Sequence, residues 1–435
     1  MMILLMTIGL IFFMATGIPV SYALCLISLI GFTVDVGPDI VWMSLEAISQ
    51  KMIFGLSNYL LLSIPFFILA AKLMNSSGIT TRIFNFANAT VGFLPGGLAH
   101  ANVLASLIFS GMSGTAVSDA AGLGQIEMQA MCENGYDKEF SVGITAASST
   151  IGPIFPPSVP MVVYSLISGA SVGYLFIGGV VPGLLMTLTL MIMVTYISKK
   201  RHYFRYEKPS LKQFLVNFLK ELMNVFLPLL TPVILLSGIW GGFFTPTEAA
   251  VVAFTYAFIL SYFVYKETNF SGLLKVFIET GRETASIGFI ICASSFYGWV
   301  LARSGVTTQL GEAIGSISSS PLVILIIINL FLLLIGCFME PTSAILVIGP
   351  ILMPIVTKYG IDPVHFGVMM VLNLMIGLLT PPFGVVLFIM QNISGLPFTK
   401  VIKGTLPFMV PLFIVLLLIT VYPNIVLLLP RLLMH

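Results

Sequence analysis

The feature that most constrains this chain is the length of its uncharged runs. Residues 140–198 contain no Asp, Glu, Lys or Arg, whereas a helix needs only roughly 20 apolar residues to cross a membrane. Over the whole chain 8% of residues are charged, against about 25% in soluble domains. A soluble globular fold is therefore excluded, and the chain is an integral membrane protein.

Other uncharged runs of membrane-spanning or near-spanning length recur along the chain. They cover residues 2–34, 52–71, 83–118, 222–247, 249–265, 284–302, 313–339, 366–399 and 404–430. We expect an all-α polytopic fold with on the order of ten to twelve membrane-embedded segments. The first run has no basic region before it, so we interpret it as a retained transmembrane helix and not as a signal peptide.

Within the longest run, the stretch IGPIFPPSVP at residues 151–160 interrupts the helix. Proline removes a backbone donor and clashes with the preceding turn. Broken backbone at membrane depth persists only where protein or a water-filled cavity satisfies it. We therefore expect a broken helix over about 140–170 whose break lines a binding site.

The same break recurs in the second half of the chain. In IGLLTPPFGV, residues 376–385, Pro381 and Pro382 match Pro156 and Pro157 at an offset of 225. That offset also pairs Gly111 with Gly336, Gly124 with Gly349, Gly135 with Gly360, Gly152 with Gly377 and Gly179 with Gly404. With 39 glycines in 435 residues, chance predicts about 0.6 such pairs in this window. The chain therefore contains an internal repeat.

The repeat divides the chain into two halves. At an offset of 227, SGITT at residues 77–81 matches SGVTT at residues 304–308. We predict a first repeat over 1–198, a basic linker over 199–221 and a second repeat over 222–435, whose own broken helix covers about 364–393. Two long repeats with matching breaks are typical of secondary transporters. The repeats are inverted if each half crosses the membrane an odd number of times.

A second irregular segment precedes each broken helix. Phe109–Gly122 is rich in small residues and follows an apolar arm of about 11 residues. Such an arm rises only about 17 Å, short of a hydrocarbon core about 30 Å thick. We therefore expect a re-entrant hairpin over about 98–131. Its counterpart, GCFMEPTSA at residues 336–344, predicts a second hairpin over about 321–357.

The two hairpin tips and two helix breaks present hydroxyl and backbone oxygens with few carboxylates. This composition suits Na⁺, with half-helix N-termini facing an anionic substrate group. The predicted Na⁺ ligands are Ser110, Gly111, Ser113, Ser148, Ser149, Thr150, Gly336, Thr342, Asn373 and Thr380. Small residues also allow close helix packing in membranes, so a packing role is the alternative for each of these residues.

Three acids lie near these elements, namely Asp119, Glu340 and Glu248. Ionisable groups at membrane depth are candidates for function by default. None of the three has an acidic partner in the other repeat. We therefore interpret Asp119 and Glu340 as hydrogen-bond acceptors that hold the hairpins in shape, with a proton relay or a solvated interfacial position as the alternatives.

Basic residues crowd the middle of the chain, and basic loops stay on the cytoplasmic side. They are Lys199, Lys200, Arg201, Arg205, Lys208, Lys212 and Lys220. We expect a cytoplasmic linker; a contact with an anionic partner is the alternative. The four cysteines and four histidines are scattered, so no metal other than Na⁺ is expected. The chain contains no GxxxxGK[ST] motif, which argues against an ATP-driven pump.

Five longer motifs carry a family resemblance. They are SGTAVSDAAGLG (113–124), TIGPIFPPSVPMVVY (150–164), SGIWGGFFTPTEAAVVA (237–253), GCFMEPTSAILVIGPILMPIV (336–356) and NLMIGLLTPPFGVVLF (373–388). Over essentially its full length the chain resembles the large membrane (M) subunit of tripartite ATP-independent periplasmic (TRAP) transporters, of the DctM and SiaM type. The resemblance implies an elevator-type transporter of the ion-transporter superfamily and not an enzyme.

The resemblance also implies a substrate, a coupling ion and partners. The substrate would be an organic acid such as a C4-dicarboxylate, sialic acid or another sugar acid, imported with two or more Na⁺ across the bacterial inner membrane. The implied substrate region contains Ser113, Thr115, Pro156, Pro157, Ser158, Pro381 and Pro382. Expected partners are a small four-helix membrane (Q) subunit, a periplasmic substrate-binding (P) protein and membrane lipid, with no nucleic acid.

A stand-alone carrier and a channel are the two alternatives to a tripartite transporter. A stand-alone Na⁺- or H⁺-coupled anion carrier would need no binding protein. A channel fits poorly, because paired re-entrant tips with hydroxyl-rich breaks indicate a gated, occluded site and not a continuous pore.

Overall fold

The fold is helical throughout the part of the chain that the structure describes. A computed structural model describes residues 2–37, 44–201, 203, 209–305 and 318–433. Within these residues every regular element is a helix, which confirms the expected all-α class. Arg205 and Lys208 of the predicted linker, and residues 306–308 of the repeat match, lie outside the described residues.

The first half contains eleven described α-helices. They are α1 (Met2–Ala15), α2 (Val20–Val36), α3 (Leu45–Phe54), α4 (Ser63–Ser76), α5 (Ile79–Val91), α6 (Gly97–Ser113), α7 (Ala116–Ala121), α8 (Leu123–Glu133), α9 (Lys138–Ser149), α10 (Val159–Ser168) and α11 (Val172–Arg201). A short 3₁₀ turn, Tyr59–Leu62, precedes α4.

The second half contains nine described α-helices. They are α12 (Leu211–Trp240), α13 (Pro246–Phe258), α14 (Phe270–Arg303), α15 (Pro321–Gly336), α16 (Pro341–Lys358), α17 (Pro363–Gly377), α18 (Val385–Ser394), α19 (Phe398–Val421) and α20 (Asn424–Leu433). A π-helical turn, Ile259–Val264, extends α13. The basic stretch predicted as a linker extends into both neighbouring helices, because α11 continues to Arg201 and α12 begins at Leu211.

Fewer helices than expected are long enough to cross a membrane alone. Among the described residues six helices are long and apolar enough, or seven if the bent pair Leu45–Phe54 and Tyr59–Asn75 forms one span. Six further apolar helices are only 10–17 residues long. Proline and glycine interrupt several of the uncharged runs on which the expectation of ten to twelve segments is based, so fewer full-length helices result. The chain is a multi-pass membrane protein.

The hairpin regions consist of helices joined by capped tips, and α16 is one of the six helices long enough to cross a membrane. In the first, α6 ends at Gly114, whose φ of 63° favours glycine. Thr115 then caps α7, its Oγ1 accepting a hydrogen bond from Ser118 N at 3.4 Å. In the second, α15 ends at Gly336, and Glu340 caps α16 by accepting from Ser343 N at 3.1 Å. Side-chain caps thus satisfy backbone donors at both tips.

Each hairpin tip is joined to the neighbouring helix break by one backbone hydrogen bond. Val159 N donates to Gly114 O at 3.4 Å in the first half. In the second half Gly384 N donates to Cys337 O at 3.3 Å. The two donors occupy matching positions, since Val159 and Gly384 are separated by the repeat offset. Both halves therefore support their broken backbone in the same way, and the Pro-Pro peptide bond is cis in each.

The two hairpins enter the fold from opposite ends of α11. Near the basic end of α11, an added Cβ on Gly96 would lie 2.1 Å from Ser198 Oγ, so the start of α6 is packed there. Arg201 Nη1 lies 2.8 Å from Asp137 Oδ2, just after α8. At the other end, an added Cβ on Gly178 would lie 3.4 Å from Val364 Cγ1, at the start of α17, the helix that follows α16. Inverted repeats would give this arrangement; the inversion itself stays a prediction.

The basic end of α11 is held by a polar cluster outside the long spans. The Tyr203 hydroxyl and the Arg201 guanidinium both donate hydrogen bonds to the Asp137 carboxylate. These bonds, with Tyr203 the larger cause, hold the pKa of Asp137 below its ordinary value.

The helices outside the hairpins and breaks pair across the two halves. Helix α2 packs on α14, α4 on α13 and α5 on α12. We call this layer the scaffold. Helices α9 and α11 of the first half pack on α19 of the second. Because each half packs on the other, neither forms a separate core.

The close approach of α15 and α17 leaves no room for a side chain at Gly377. An added Cβ there would lie 2.6 Å from both the C and the Cα atoms of Gly336. We expect Gly377→Ala to destabilise the protein by about 1–3 kcal/mol, since main-chain atoms must shift. The measurement is the melting temperature of the purified protein in detergent. Gly281→Ala in α14 is the control, because its methyl group meets nothing within 4 Å; equal losses in both variants would contradict the account.

Candidate functional site

A cavity of about 850 Å³ lies between the two hairpin tips and the scaffold. We call it the hairpin cavity. Residues of the first tip, including Ser113, Thr115 and Ser118, line one part, and Glu340–Ser343 of the second tip line another. Helices α4 and α14 close it from the scaffold side. Its volume lies within the roughly 300–1,000 Å³ that is usual for small-molecule sites.

The charged groups of the hairpin cavity carry an excess of carboxylates. Its lining includes Glu279, Glu283 and Glu340 against Lys72 and Lys275. Lys72 Nζ lies 2.7 Å from Glu283 Oε1 and 3.5 Å from Glu279 Oε2, so its charge is already neutralised. No arginine occurs among the described lining residues. An anionic ligand would therefore be repelled here unless a cation accompanied it.

Asp119 anchors the first hairpin tip. Its carboxylate accepts a hydrogen bond from Ser113 Oγ and is 2% exposed. The second oxygen, Oδ2, faces the first helix break, since an added Cβ on Gly152 would lie 2.3 Å from it. That oxygen is buried and has no hydrogen-bond partner among the described residues. A buried, unpaired carboxylate oxygen is costly, so it marks a place where a cation or proton would be stabilising.

Glu340 has a corresponding place at the second tip. Oε1 of Glu340 accepts from Thr342 Oγ1 at 2.8 Å, and Oε2 accepts from Ser343 N. Both oxygens thus accept local hydrogen bonds at the start of α16, and the structural role of Glu340 stays a prediction. Glu248 lies elsewhere: it completes a capping box with Thr245 at the start of α13 and is exposed to solvent.

Two buried hydrogen-bonded pairs connect the hairpins to the broken helices. Ser148 Oγ donates to Asn102 Oδ1 at 2.6 Å. In the second half Asn373 Nδ2 donates to Asn329 Oδ1 at 2.7 Å. All four side chains are buried. The members correspond between repeats, Asn102 to Asn329 at offset 227 and Ser148 to Asn373 at offset 225. The same contact therefore joins hairpin arm to broken helix in each half.

The sequence prediction missed Asn102 and Asn329. Both lie inside apolar arms, away from the irregular tips on which the prediction concentrated. The signal that could have identified them is their match at offset 227, which pairs the same polar residue in both arms. Asn102 also donates to Thr145 Oγ1 at 2.7 Å, and Asn329 to Thr420 Oγ1 at 3.0 Å.

The predicted Na⁺ ligands do not all meet in the hairpin cavity. Ser113 and Thr342 line it, as does Thr115 of the predicted substrate region. Ser110, Ser149, Thr150 and Thr380 instead donate to backbone carbonyls three or four residues earlier in the chain. Gly111 packs against Pro232, and Gly336 against Gly377. As ligands of Na⁺ these residues remain predictions.

The predicted proline contacts to substrate lie outside the cavity lining. Pro156, Pro157 and Ser158 are buried, and Ser158 Oγ donates to Pro153 O. Pro381 and Pro382 are partly or fully exposed and also do not line the cavity. Pro153 and Pro160 of the same break do line it. Their role toward substrate likewise stays a prediction.

Several buried side-chain oxygens have no hydrogen-bond partner in the described part of the chain. Among them are Asp119 Oδ2, Glu127 Oε1 and Asn373 Oδ1. Glu127, on α8, is 1% exposed and was not identified from the sequence. Carboxylate and amide oxygens are suitable ligands for a hard cation. Among the described residues no group of three His, Cys, Asp or Glu forms a metal cluster.

Comparison with known proteins agrees with the geometry. The family model described as "Tripartite ATP-independent periplasmic transporter, DctM component" matches residues 7–425. The sialic acid TRAP transporter large permease protein SiaM of Vibrio cholerae is 44% identical over 425 residues, which cover 98% of this chain and 97% of that protein. The C4-dicarboxylate TRAP transporter large permease protein DctM of Pseudomonas aeruginosa is 38% identical over 388 residues, covering 89% and 90%.

Among solved structures, the YdaH transporter of Alcanivorax borkumensis is similar to this chain. The match covers 89% of each chain with a TM-score of 0.61 at 14% identity. At that identity the likeness concerns the fold alone.

A double-mutant cycle tests the Asn102–Ser148 contact. We expect Asn102→Ala to destabilise the protein by about 1–3 kcal/mol, because it removes the buried hydrogen bonds of Asn102 to the Ser148 and Thr145 hydroxyl groups. Ser148→Ala should cost much less in that background than alone, as residues in contact show coupling of about 0.5–3 kcal/mol. Melting temperatures of the four proteins measure the coupling.

The control cycle uses the exposed pair Asn224 and Glu221, whose side chains lie 3.3 Å apart. We expect no coupling there, because exposed contacts contribute little. Strict additivity at Asn102 and Ser148 would contradict a structural contact between arm and broken helix.

Proposed function

The chain belongs to the family of DctM components of TRAP transporters, which are transporters and not enzymes, and from that premise we propose that it imports an organic acid anion together with Na⁺. The observation that carries the proposal is the hairpin cavity. Its excess of one carboxylate favours a cation that accompanies the anion.

The orientation of the fold follows from its basic end. Lys199–Arg201 end α11 and Lys212 lies in the first turn of α12. Under the positive-inside rule this end is cytoplasmic. Helices α12, α13 and α14 then cross outward, inward and outward in turn, which places the start of α14 at the cytoplasm. The hairpin cavity, lined by α14 residues 272–290, therefore opens toward the cytoplasm in this conformation.

Na⁺ in this account is a co-transported substrate. Asp119, Glu127 and Asn373 supply unpaired buried oxygens, and the hydroxyl groups of Ser113 and Thr342 line the adjoining cavity. Binding of two or more Na⁺ would offset the negative charge of these residues and make the cavity favourable for a carboxylate. The start of α16 at the second tip would add its positive helix end.

The proposed substrate is a small organic acid. Relatives of this chain are named for sialic acid and for C4-dicarboxylates, and another for isethionate. A cavity of about 850 Å³ has room for any of these classes. Since no arginine lines its described part, recognition of the carboxylate would rest on Na⁺, hydroxyl groups and helix ends.

Transport in this proposal moves the hairpins and broken helices against the scaffold. Backbone bonds between tip and break and the buried Asn102–Ser148 and Asn329–Asn373 contacts join these elements within each half. The hairpin cavity lies between them and scaffold helices α4 and α14. A rigid unit that slides along the scaffold like an elevator would carry the cavity from one membrane face to the other.

We further propose that the chain works in the bacterial inner membrane with two partners and surrounding lipid. A periplasmic binding protein would deliver the substrate, and a small four-helix membrane subunit would support the scaffold. The second candidate function is a stand-alone carrier, which the cation requirement of the hairpin cavity fits equally well.

Uptake into proteoliposomes distinguishes the two. We expect a labelled organic acid to accumulate only when this chain, the small subunit, the binding protein and an inward Na⁺ gradient are all present. Replacing external Na⁺ by K⁺ should reduce uptake to background, because the carboxylate excess then stays uncompensated. Uptake that persists without the binding protein would favour the stand-alone carrier, and Na⁺-independent uptake would contradict the coupling.

A further inference from the structure

A second, larger cavity of about 1230 Å³ lies against helices α14 and α16. Its walls come from the end of α3 and the following turn, the end of α10, the later part of α14 and the body of α16. We call it the lysine cavity, after Lys51 and Lys358, which lie in its lining. Neither the sequence prediction nor the proposed function above assigns it a role.

The two cavities lie at opposite ends of the contact between α14 and α16. Residues 272–290 of α14 line the hairpin cavity, and residues 291–299 line the lysine cavity. Along α16, Pro341–Ser343 line the first and residues 346–358 the second. The middles of the two α14 stretches are about 20 Å apart at 1.5 Å per residue. If the hairpin cavity opens to the cytoplasm, the lysine cavity faces the periplasm.

The charge of the lysine cavity is opposite to that of the hairpin cavity. Lys51 and Lys358 are its only charged lining residues in the described part of the chain, and no carboxylate is among them. Both lysines are exposed. Neither lies within 4 Å of a described carboxylate. Lys358 Nζ instead lies 5.7 Å from the centre of the Tyr359 ring. Two ammonium groups therefore face this space uncompensated.

The remaining polar lining also suits an anion. Asn58 contributes an amide donor and Ser295 a hydroxyl donor, whereas the hydroxyl groups of Ser57, Ser168, Ser294 and Thr357 already donate to backbone carbonyls of their own segments. A concave space with one sign of charge and low-dielectric walls focuses the field and raises the local concentration of the opposite ion. Without Na⁺ the hairpin cavity does not attract an anion in this way. The same substrate would therefore occupy the lysine cavity first and the hairpin cavity second.

We propose that the lysine cavity is an outward-facing anion site, where a small organic carboxylate binds on the periplasmic side before the hairpin site becomes accessible. This inference rests on the proposed direction of transport. The shared chemistry is a carboxylate or phosphate group attracted by the positive charge of Lys51 and Lys358, so an anionic lipid headgroup is the competing occupant.

Trp299 offers a direct reporter, because it lines the lysine cavity. The chain has two other tryptophans, Trp42 and Trp240. With Trp42→Phe and Trp240→Phe, the remaining fluorescence comes from Trp299. Quenching by iodide, an anion, then measures charge-dependent access to Trp299. Quenching by acrylamide, which is neutral, measures access that does not depend on charge. We expect Lys51→Gln with Lys358→Gln to lower iodide quenching at least about twofold while acrylamide quenching stays unchanged.

The matched control is Lys275→Gln, which removes a lysine from the hairpin cavity instead. It should leave iodide quenching of Trp299 unchanged. The proposal would be overturned if iodide quenching of Trp299 were unchanged by Lys51→Gln with Lys358→Gln. It would also be overturned if Lys275→Gln lowered that quenching by the same amount.

Occupancy is tested with sialic acid, a C4-dicarboxylate, a neutral sugar and a short-chain anionic lipid. We expect the acids, but not the neutral sugar, to protect Trp299 from iodide, and this protection to vanish in the Lys51→Gln, Lys358→Gln protein. Protection by the lipid alone would overturn a carboxylate site. Quenching requires no transport, so the two proposals can fail separately. Lysine-dependent protection without Na⁺-driven uptake would contradict the proposed function but not this site. Normal uptake without lysine-dependent protection would contradict this site but not the proposed function.

Discussion

The structure depends on one constraint: backbone that leaves a helix inside a membrane must find its hydrogen-bond partners in the protein. Two hairpin tips and two helix breaks create this need together, and they satisfy it for one another. Gly114 accepts from Val159 N, and Cys337 accepts from Gly384 N. Thr115 and Glu340 cap the helices that leave the tips. A tip without its neighbouring break would expose polar backbone to lipid, so each hairpin and broken helix must stay together as one unit.

That unit divides the interior into two spaces of opposite charge. The hairpin cavity has three carboxylates against two ammonium groups, while the described lining of the lysine cavity has two ammonium groups and no carboxylate. An organic anion would be attracted to the second and would need a cation in the first. Under the proposed Na⁺ coupling, this difference would make anion binding in the hairpin cavity conditional on Na⁺.

The sequence was informative wherever a physical rule acts locally. Uncharged runs predicted the all-helical membrane fold, and paired prolines and glycines predicted where helices α9 and α17 end. Contacts between distant segments were not accessible. No neighbouring residue in the sequence indicates that Asn102 is hydrogen-bonded to Ser148. Nor does any neighbour of Glu127 in the sequence indicate that Glu127 is buried. For the same reason hydroxyl groups such as Ser149 and Thr380, chosen by composition, bond to their own helices, since a serine or threonine in a helix readily donates to a carbonyl one turn back.

In the proposed mechanism the hairpin cavity is a substrate site that opens to one side of the membrane at a time. Its most direct test is the reactivity of Val117→Cys, an exposed residue of that cavity, after Cys25, Cys132, Cys292 and Cys337 are replaced by serine or alanine. A membrane-impermeant maleimide is applied from either face of oriented vesicles. The account predicts labelling from the cytoplasmic face alone, and slower labelling when Na⁺ and substrate are present together. Equal labelling from both faces, or labelling that ignores Na⁺ and substrate, would contradict it.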